Sequence, residues 1–233
     1  VYYESSRGCP RNCSYCLSST SKEALQYRKL DDVYEELAFF LRKRVDVLKF
    51  VDRTFNADPA RARAIWSYLL EQRGNTLFHF EIQADFLGEA DFELLGSVPS
   101  GLFRFEIGIQ SCNEETLAEV GRSRKIEKLL SNVRRLVAET SVEIHVDLIA
   151  GLPGEGLDSF RDSFDRVYRL GAHHFQLGFL KLLKGTRMRE RKDEYSMSAS
   201  PFPPYQVFET SDMSYMEMVS LESIEHLIES IYN

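Results

Sequence analysis

The sequence lacks the features that place a protein in a membrane or send it across one. Its 233 residues contain no apolar run of about 18 residues, which is the length that a transmembrane helix requires. The first residues, Val1-Tyr2-Tyr3-Glu4, do not follow the order of basic, apolar and small residues that defines a signal peptide. We therefore predict a cytoplasmic protein that has no membrane partner.

An excess of positive charge is also absent. The chain carries 29 lysines and arginines against 36 aspartates and glutamates, which gives a formal net charge of -7. Domains that bind nucleic acid usually have a basic surface, so this composition argues against nucleic acid as a partner. Hydrophobic residues make up 43% of the chain, a share that is typical of a soluble protein with a buried core.

A starting methionine is missing as well, and the first residues enter a predicted strand at once. We interpret the chain as a fragment of a longer protein. Its length suits one α/β domain of barrel type, or one to two smaller domains.

Cysteine is scarce, but three of the four cysteines lie close together. Cys9, Cys13 and Cys16 have the spacing C-x3-C-x2-C. Disulfides are rare in a reducing compartment, and a domain of this size does not need them, so clustered cysteines favour a metal site.

Apolar runs with strand character alternate with amphipathic helical stretches along the chain. The predicted strands are Tyr2–Ser6, Val47–Val51, Leu77–Gln83, Leu102–Ile109, Val142–Ala150 and Ala172–Leu180. The predicted helices are Leu30–Arg44, Asp58–Glu71, Asp91–Leu95, Glu114–Val120, Ile126–Glu139, Leu157–Leu170 and Met213–Ile231. This alternation indicates βαβ units and a parallel sheet with right-handed crossovers. Periodicity leaves two α/β architectures open, a doubly wound sheet and a curved partial (β/α)6 barrel.

The cysteine loop follows the first predicted strand, at the end where parallel α/β sheets and barrels carry active sites. Three thiolates can hold three irons of a cubane and leave the fourth iron open, as a catalytic metal needs. A structural zinc site or an electron-transfer cluster normally takes four ligands, and beyond the trio only Cys112 remains. A non-enzymatic iron–sulfur or zinc-binding module for electron transfer or assembly is the alternative hypothesis.

The three-cysteine loop, with the aromatic Tyr15 before its last cysteine, resembles the hallmark of the radical S-adenosylmethionine (radical SAM) superfamily. The resemblance covers about residues 1–185. It is strongest to members that are linked to a cobalamin-binding domain and to oxygen-independent coproporphyrinogen oxidases. It implies a partial (β/α)6 TIM-like barrel over residues 1–185, followed by a linker and C-terminal helical extension over residues 186–233.

The resemblance also implies a function. Cys9, Cys13 and Cys16 would hold a [4Fe-4S] cluster that cleaves S-adenosylmethionine reductively to a 5′-deoxyadenosyl radical. That radical would act on an unknown small-molecule or biosynthetic substrate, with flavodoxin or ferredoxin as the electron donor. A cobalamin-dependent methyl transfer is one sub-case, with cobalamin bound by a domain outside this chain, and a porphyrin-type oxidative decarboxylation is the other.

The resemblance implies Tyr15, next to Cys16, as a cofactor-binding residue. Three residues near the second and third predicted strands are implied as contacts of S-adenosylmethionine. Asp52 and Arg53 stand where family members carry a Gly-rich stretch that meets the amino group, and Asp52 offers a carboxylate instead. Glu81, in the third predicted strand, matches a glutamate that contacts S-adenosylmethionine in the oxidases. A buried carboxylate in a strand is costly unless it is paired.

Five further residues are implied by the later motifs. Gln110 lies in Phe105–Ser111, which resembles the family's fourth strand, and should hydrogen-bond the ribose. Arg122 matches an arginine that clamps the carboxylate of S-adenosylmethionine, and Asp147 should accept hydrogen bonds from the ribose hydroxyls. Ile149 should pack on adenine, and Leu180 should offer it backbone groups. Asp147 is also notable without the resemblance, because an aspartate between buried strand residues needs a partner.

Overall fold

The computed structural model describes residues 1–20, 24–72 and 74–233. Six strands form one sheet, in the spatial order β1-β2-β3-β4-β5-β6. They are β1 (Tyr2–Tyr3), β2 (Val47–Phe50), β3 (Leu77–Ile82), β4 (Phe103–Gln110), β5 (Glu143–Ala150) and β6 (His174–Phe179). The sheet is parallel, as predicted, and its spatial order equals its order in the chain. This arrangement is consistent with the predicted partial (β/α)6 fold, and no closed barrel is observed among the described residues.

Helices connect the strands. They are α1 (Leu30–Arg42), α2 (Pro59–Glu71), α3 (Glu89–Leu95), α4 (Glu114–Glu119), α5 (Ile126–Glu139), α6 (Leu157–Tyr168), α7 (Arg187–Glu190) and α8 (Tyr215–Leu227). Short 3-10 turns lie at Leu17–Ser19, Phe55–Ala57 and Ala84–Phe86, and a π-helical turn, Ile228–Tyr232, follows α8. No helix in the described ranges combines the length and apolar character that spanning a bilayer requires.

Local chemistry explains where several helices begin. Asp58 caps α2 by accepting hydrogen bonds from the backbone N–H groups of Ala60 and Arg61, and Pro59 occupies the first helical position. Ser214 and Glu217 form a capping box at the start of α8. Helix α2 therefore begins one residue after the first residue of the predicted helix, Asp58–Glu71.

The structure differs from the predicted elements at both ends of the sheet. The first predicted strand, Tyr2–Ser6, is divided into β1 and a short strand, Ser6–Arg7, which pairs antiparallel with Gln26–Tyr27. Beyond Lys181, where no pattern predicts strands, Ser198–Ala199 pairs antiparallel with Val207–Glu209.

The chain divides into two compact units. The first comprises Val1–Pro10, Glu23–Gly108 and Glu127–His145, and the second comprises Arg11–Lys22, Ile109–Ile126 and Val146–Asn233. The predicted division between residues 185 and 186 lies inside the second unit.

Aromatic side chains fill the core of the first unit. Phe50, Phe80 and Phe105 lie on one face of β2, β3 and β4 and are fully buried. Trp66 of α2 stacks on Phe105, with 5.3 Å between the ring centroids. The alternate residues of these strands are polar, so a two-residue period directs apolar and charged side chains to opposite faces.

Candidate active site

The cysteine loop of the second unit carries Cys13 and Cys16, and none of the four cysteines forms a disulfide. The hydroxyl of Ser19 lies 2.6 Å from the carbonyl oxygen of Cys13 and 2.7 Å from that of Cys16. The backbone N–H of Cys16 also donates to the carbonyl of Cys13 at 3.2 Å. These contacts fix the backbone between the two thiols, although no pattern in the sequence points to Ser19.

Two other segments of the second unit hold the same loop. Ser14 donates its backbone N–H to the carbonyl of Val120 at 2.9 Å, and its own carbonyl accepts from the N–H of Met188 at 2.9 Å. The guanidinium of Arg187 donates to the carbonyl of Asn12. The loop is thus tied to the turn after α4 and to the start of α7.

Arg122 faces the sulfur of Cys13. Its Nη1 lies 3.8 Å from Cys13 Sγ and 3.4 Å from the hydroxyl of Tyr15. Burial opposes the charged form of Arg122, but nearby Tyr15, Cys13 and Asp147 together raise its pKa above the ordinary value. Burial also opposes the charged form of Tyr15, which raises its pKa, so this hydroxyl stays protonated at neutral pH. A fixed positive charge beside this sulfur would complement the negative charge of a thiolate that binds iron.

Gln110, the last residue of β4, contacts Asp147, which lies within β5. The Nε2 of Gln110 lies 3.1 Å from each carboxylate oxygen of Asp147. Gln110 is buried and has a φ of 72°, in the left-handed region that residues other than glycine rarely adopt. Its Oε1 is buried without a hydrogen-bond partner among the described residues. Backbone strain together with an unsatisfied polar atom is characteristic of functional sites.

A cavity of about 250 Å³ lies beside this pair in the second unit. Tyr15, Asp147, Ile149 and Leu180 line it, and all four are predicted site residues. Both backbone groups of Leu180 already have partners, since its N–H donates to Ala150 and its carbonyl accepts from Val207. A carbonyl keeps a second lone pair, so adenine contact through the backbone is restricted to that oxygen.

Six of the ten lining residues are absent from the predicted site, and two of these six, Gln176 and Lys181, have polar side chains. The signal for Gln176 is present in the sequence, because it alternates with the buried Phe175 and Leu177 along β6. Lys181 follows the strand in a dense basic stretch, which by itself indicates only a solvated surface.

In the first unit, Cys9 lies beside the end of β2. Its Sγ is 3.4 Å from Oγ1 of Thr54, whose hydroxyl also lies 2.7 Å from the carbonyl of Arg53. Arg53 itself is exposed. Thr54 is thus a polar neighbour of Cys9, a predicted cluster ligand. The sequence argument does not single out Thr54.

Asp52, a predicted contact of S-adenosylmethionine, binds the chain segment that precedes Cys9. Its side chain is buried, and one carboxylate oxygen accepts from the N–H of Ser5 at 3.0 Å. The other oxygen accepts from the hydroxyls of Ser5 and Ser6 at 2.7 Å and 2.5 Å. Both oxygens of Asp52 therefore have partners in the first unit, and these hydrogen bonds hold the segment that leads to Cys9.

Glu81 belongs to a charged group on the polar face of β2–β4. Lys49 Nζ is 3.9 Å from Glu81 and 3.0 Å from Glu106, which also accepts a hydrogen bond from His79 Nε2 at 2.9 Å. Burial, followed by the charge of Glu106, raises the pKa of Glu81. The predicted requirement for a partner is met by Lys49.

Cys112, the one remaining cysteine, packs in the second unit against Ser163. Its N–H donates to Ser163 Oγ at 2.9 Å, and its Sγ lies 3.9 Å from the carbonyl of the same residue. Within the described part of the chain, no three histidine, cysteine, aspartate or glutamate side chains converge on a position for a single metal ion. A cubane makes a different demand, because each thiolate binds its own iron.

The first unit contains a larger cavity, of about 670 Å³, lined by the stretches that precede β3 and β4, among them Asn75 and Gly101. It adjoins the amino ends of the strands and includes none of the predicted site residues. Parallel α/β folds carry their active sites at the carboxyl ends, so the smaller cavity is the better candidate.

Comparison with known proteins finds two family models that match this chain. A family model described as the radical SAM superfamily matches residues 3–167. A second model, described as a protein of unknown function (DUF4080), matches residues 193–233.

Individual relatives cover the chain but extend well beyond it. The ribosomal protein uS12 methylthiotransferase RimO of Petrotoga mobilis is 29% identical over 175 residues, which are 72% of this chain and 40% of that protein. The radical S-adenosylmethionine methyltransferase TsrM from Kitasatospora setae, solved with cobalamin and a [4Fe-4S] cluster bound, has a TM-score of 0.72 at 20% identity over 86% of this chain and 38% of its own. Coproporphyrinogen III oxidase (HemN) from Escherichia coli, a radical SAM enzyme, has a TM-score of 0.67 at 18% identity over 98% of this chain and 52% of its own.

At these identities the two solved structures show the fold alone, and the chain spans about half or less of each protein. The predicted likeness to cobalamin-dependent members and to coproporphyrinogen oxidases is confirmed. A methylthiotransferase is a further relative, one to which the cysteine motif alone does not point. Because the family match covers most of the sheet and the whole cysteine loop, the chain belongs to the radical SAM superfamily.

Proposed function

We propose that this chain is the catalytic core of a radical SAM enzyme, in which Cys9, Cys13 and Cys16 bind a [4Fe-4S] cluster. The observation that carries the proposal is the contact of Arg122 with both Cys13 and Tyr15, since Tyr15 and Asp147 line one cavity. When bound, a reduced cluster supplies the electron that cleaves S-adenosylmethionine to a 5′-deoxyadenosyl radical, which acts on an unknown small-molecule substrate.

The residues of the second unit fit this cofactor chemistry. Arg122 supplies a positive charge beside a cluster ligand and is suited to hold the carboxylate of S-adenosylmethionine, because guanidinium groups match carboxylates geometrically. Asp147, oriented by Gln110, accepts hydrogen bonds from ribose hydroxyls. Ile149 and Leu180 give the cavity an apolar wall for a purine.

The first unit contributes Cys9, with Thr54 next to its sulfur, and the charged group around Glu81. We assign Glu81 and the exposed Arg53 to polar contacts with S-adenosylmethionine or substrate. An electron donor of the flavodoxin or ferredoxin type would reduce the cluster. Asp52 contributes indirectly, through Ser5 and Ser6, by fixing the approach of the chain to Cys9.

Within this class, we propose transfer of a methyl group, with cobalamin held by a domain outside this chain. TsrM is a methyltransferase solved with cobalamin bound, and RimO is a methylthiotransferase, so each transfers a group that contains a methyl. The proposal is finer than the family assignment and has its own readout, because methyl transfer from S-adenosylmethionine leaves S-adenosylhomocysteine.

The test is anaerobic reconstitution with iron and sulfide, followed by addition of dithionite and S-adenosylmethionine. We expect about four irons and four sulfides per chain and formation of 5′-deoxyadenosine, and a Cys13→Ala variant should lose both. A reconstituted wild type that binds cluster and S-adenosylmethionine but forms no 5′-deoxyadenosine contradicts the enzymatic proposal. One zinc ion per chain without sulfide would support the non-enzymatic alternative.

A further inference from the structure

The C-terminal segment, residues 193–233, matches a family of unknown function. It belongs to the second unit, which also contains Cys13, Arg122 and Asp147. The segment contains the strand Val207–Glu209 and helix α8. Its contacts within this unit indicate what it does.

The segment pairs with the stretch that follows β6, through an isolated bridge between Lys181 and Gln206. Val207 donates its N–H to the carbonyl of Leu180 at 2.8 Å, and Leu182 donates its N–H to the carbonyl of Tyr205 at 2.9 Å. Val207 is fully buried and belongs to the same apolar cluster as Leu180 and Leu152. Leu180 lines the cavity, so the segment supports that wall from behind through backbone and side-chain contacts.

The segment also holds the turn after β5. The carboxylate of Asp212 accepts from the backbone N–H of Gly154 at 3.0 Å. The methyl group of Met218 lies 3.1 Å from the position that a Cβ on Gly151 would take, and Met218 is buried. Gly151 has a φ of 85°, a conformation that favours glycine. The space that a side chain on Gly151 would need is occupied by Met218 of α8. The turn directly follows the strand that presents Asp147 and Ile149.

We propose that residues 205–218 are a structural part of the S-adenosylmethionine site, in which Asp212 and Met218 act as positioning residues for the cavity wall. This inference rests on the proposed function. A cofactor cavity binds tightly only when its wall is held in the binding geometry before the ligand arrives. The hydrogen bond from Val207 supplies that support to Leu180. The contact of Asp212 with Gly154 supplies it to the Gly151–Gly154 turn. The segment of unknown function is therefore integral to cofactor binding.

Substitution of Asp212 tests the inference on the reconstituted chain. Asp212→Ala removes the acceptor for Gly154 and should weaken S-adenosylmethionine binding about five- to tenfold in equilibrium dialysis, with iron and sulfide content unchanged. Asp212→Asn keeps an acceptor oxygen and should restore most of the affinity. Asp193→Ala, in the same segment with a side chain that is 89% exposed, is the matched control and should bind as the wild type does.

Met218 provides an independent variant, since Met218→Ala empties the space over Gly151 and Met218→Leu refills most of it. A measurement on the wild-type chain also tests the inference, and its result does not depend on whether a variant folds. In hydrogen–deuterium exchange, S-adenosylmethionine should slow the amides of Leu182 and Val207, whereas peptides from α1 should exchange at the same rate with and without it.

The outcomes separate the two proposals. If the wild type does not bind S-adenosylmethionine at all, the proposed function fails first. If the wild type binds it, the inference is overturned by Asp212→Ala and Met218→Ala variants that melt at lower temperature with unchanged affinity. Unchanged exchange at Leu182 and Val207 on binding would overturn it as well.

Discussion

The guanidinium of Arg122 donates toward the sulfur of Cys13 from 3.8 Å, and the same nitrogen contacts the hydroxyl of Tyr15. Hydrogen bonds and net charge around the sulfurs set the reduction potential of an iron–sulfur cluster. A cation at this position would stabilise the reduced form of a bound cluster, which carries one more negative charge. We therefore propose that Arg122 tunes the cluster in addition to its proposed contact with a carboxylate.

An Arg122→Gln variant should therefore have a more negative midpoint potential. The shift should be on the order of 60 mV, the one-electron equivalent of a tenfold change in an equilibrium constant. The measurement is a redox titration followed by electron paramagnetic resonance, without S-adenosylmethionine. Arg124→Gln is the control, since that side chain is 62% exposed and pairs with Glu114. Equal potentials for Arg122→Gln and wild type would remove the tuning role.

The Gln110–Asp147 pair gives a second prediction. Asp147→Ala should weaken S-adenosylmethionine binding by about tenfold or more, because a hydrogen bond to a charged group contributes about 1.5–3 kcal/mol. Iron content should stay near the wild-type value, since Asp147 is not proposed as a ligand. Equilibrium dialysis and iron analysis check both statements. Asp158→Ala is the control, with a side chain that is 99% exposed, and loss of iron from Asp147→Ala would exclude a purely cofactor-binding role.

Much of this fold is predictable because its signals are local. The buried and half-buried residues of β5 alternate without interruption from Glu143 to Ala150, and the cap at Asp58 sets the start of α2 within one residue. The strand Val207–Glu209 is not predictable in the same way. It is three residues long, follows a Pro-rich stretch, and is stabilised by pairing with distant residues such as Leu180.

The site shows the same limit. Spacing alone selects Cys9, Cys13 and Cys16, and a polar residue within a buried strand selects Asp147. The role of Asp52 depends on Ser5 and Ser6, which lie more than 40 residues away in the chain. A sequence pattern identifies a carboxylate at the end of a strand, but it does not show whether hydroxyl groups already occupy its oxygens.

Gly121 allows a close approach to the cysteine loop, which gives a third prediction. It has a φ of 74°, and a Cβ there would lie 2.5 Å from the carbonyl oxygen of Asn12. Gly121→Ala should displace the loop and lower the iron content after reconstitution. Backbone strain alone costs about 1–3 kcal/mol, and the free energy of unfolding should fall by more than this because of the added collision. Urea unfolding and iron analysis measure the two effects.

Gly101→Ala is the matched control for this prediction. Gly101 has a φ of 80°, but no described atom lies within 4 Å of its added Cβ. It should show the backbone strain without the collision and should leave the iron content unchanged. If the two alanine variants lose equal stability and bind equal iron, the approach of Gly121 to the loop has no consequence.

The charged group on the polar face of β2–β4 predicts a dependence of stability on pH. The hydrogen bond from His79, together with Lys49, lowers the pKa of Glu106 to about 2, although burial acts in the opposite direction. In the unfolded chain the pKa of a glutamate is about 4.3. A lowered folded pKa means that Glu106 contributes stability above about pH 4.3 and that this contribution is lost as the pH falls toward about 2.

Glu106→Gln should therefore flatten the loss of stability on acidification. Because its side chain is 36% exposed, solvent screening reduces the effect, and we expect a loss of about 1 kcal/mol at neutral pH.

Glu81→Gln is the informative comparison, since burial raises the pKa of Glu81 and reverses the sign of its contribution to the pH dependence of stability. Wild type should lose the contribution of Glu81 as the pH rises above about 4.3, and Glu81→Gln should not. Urea unfolding between about pH 2 and pH 7 measures both, and parallel profiles for the two variants would show that Lys49 and His79 do not distinguish the two carboxylates.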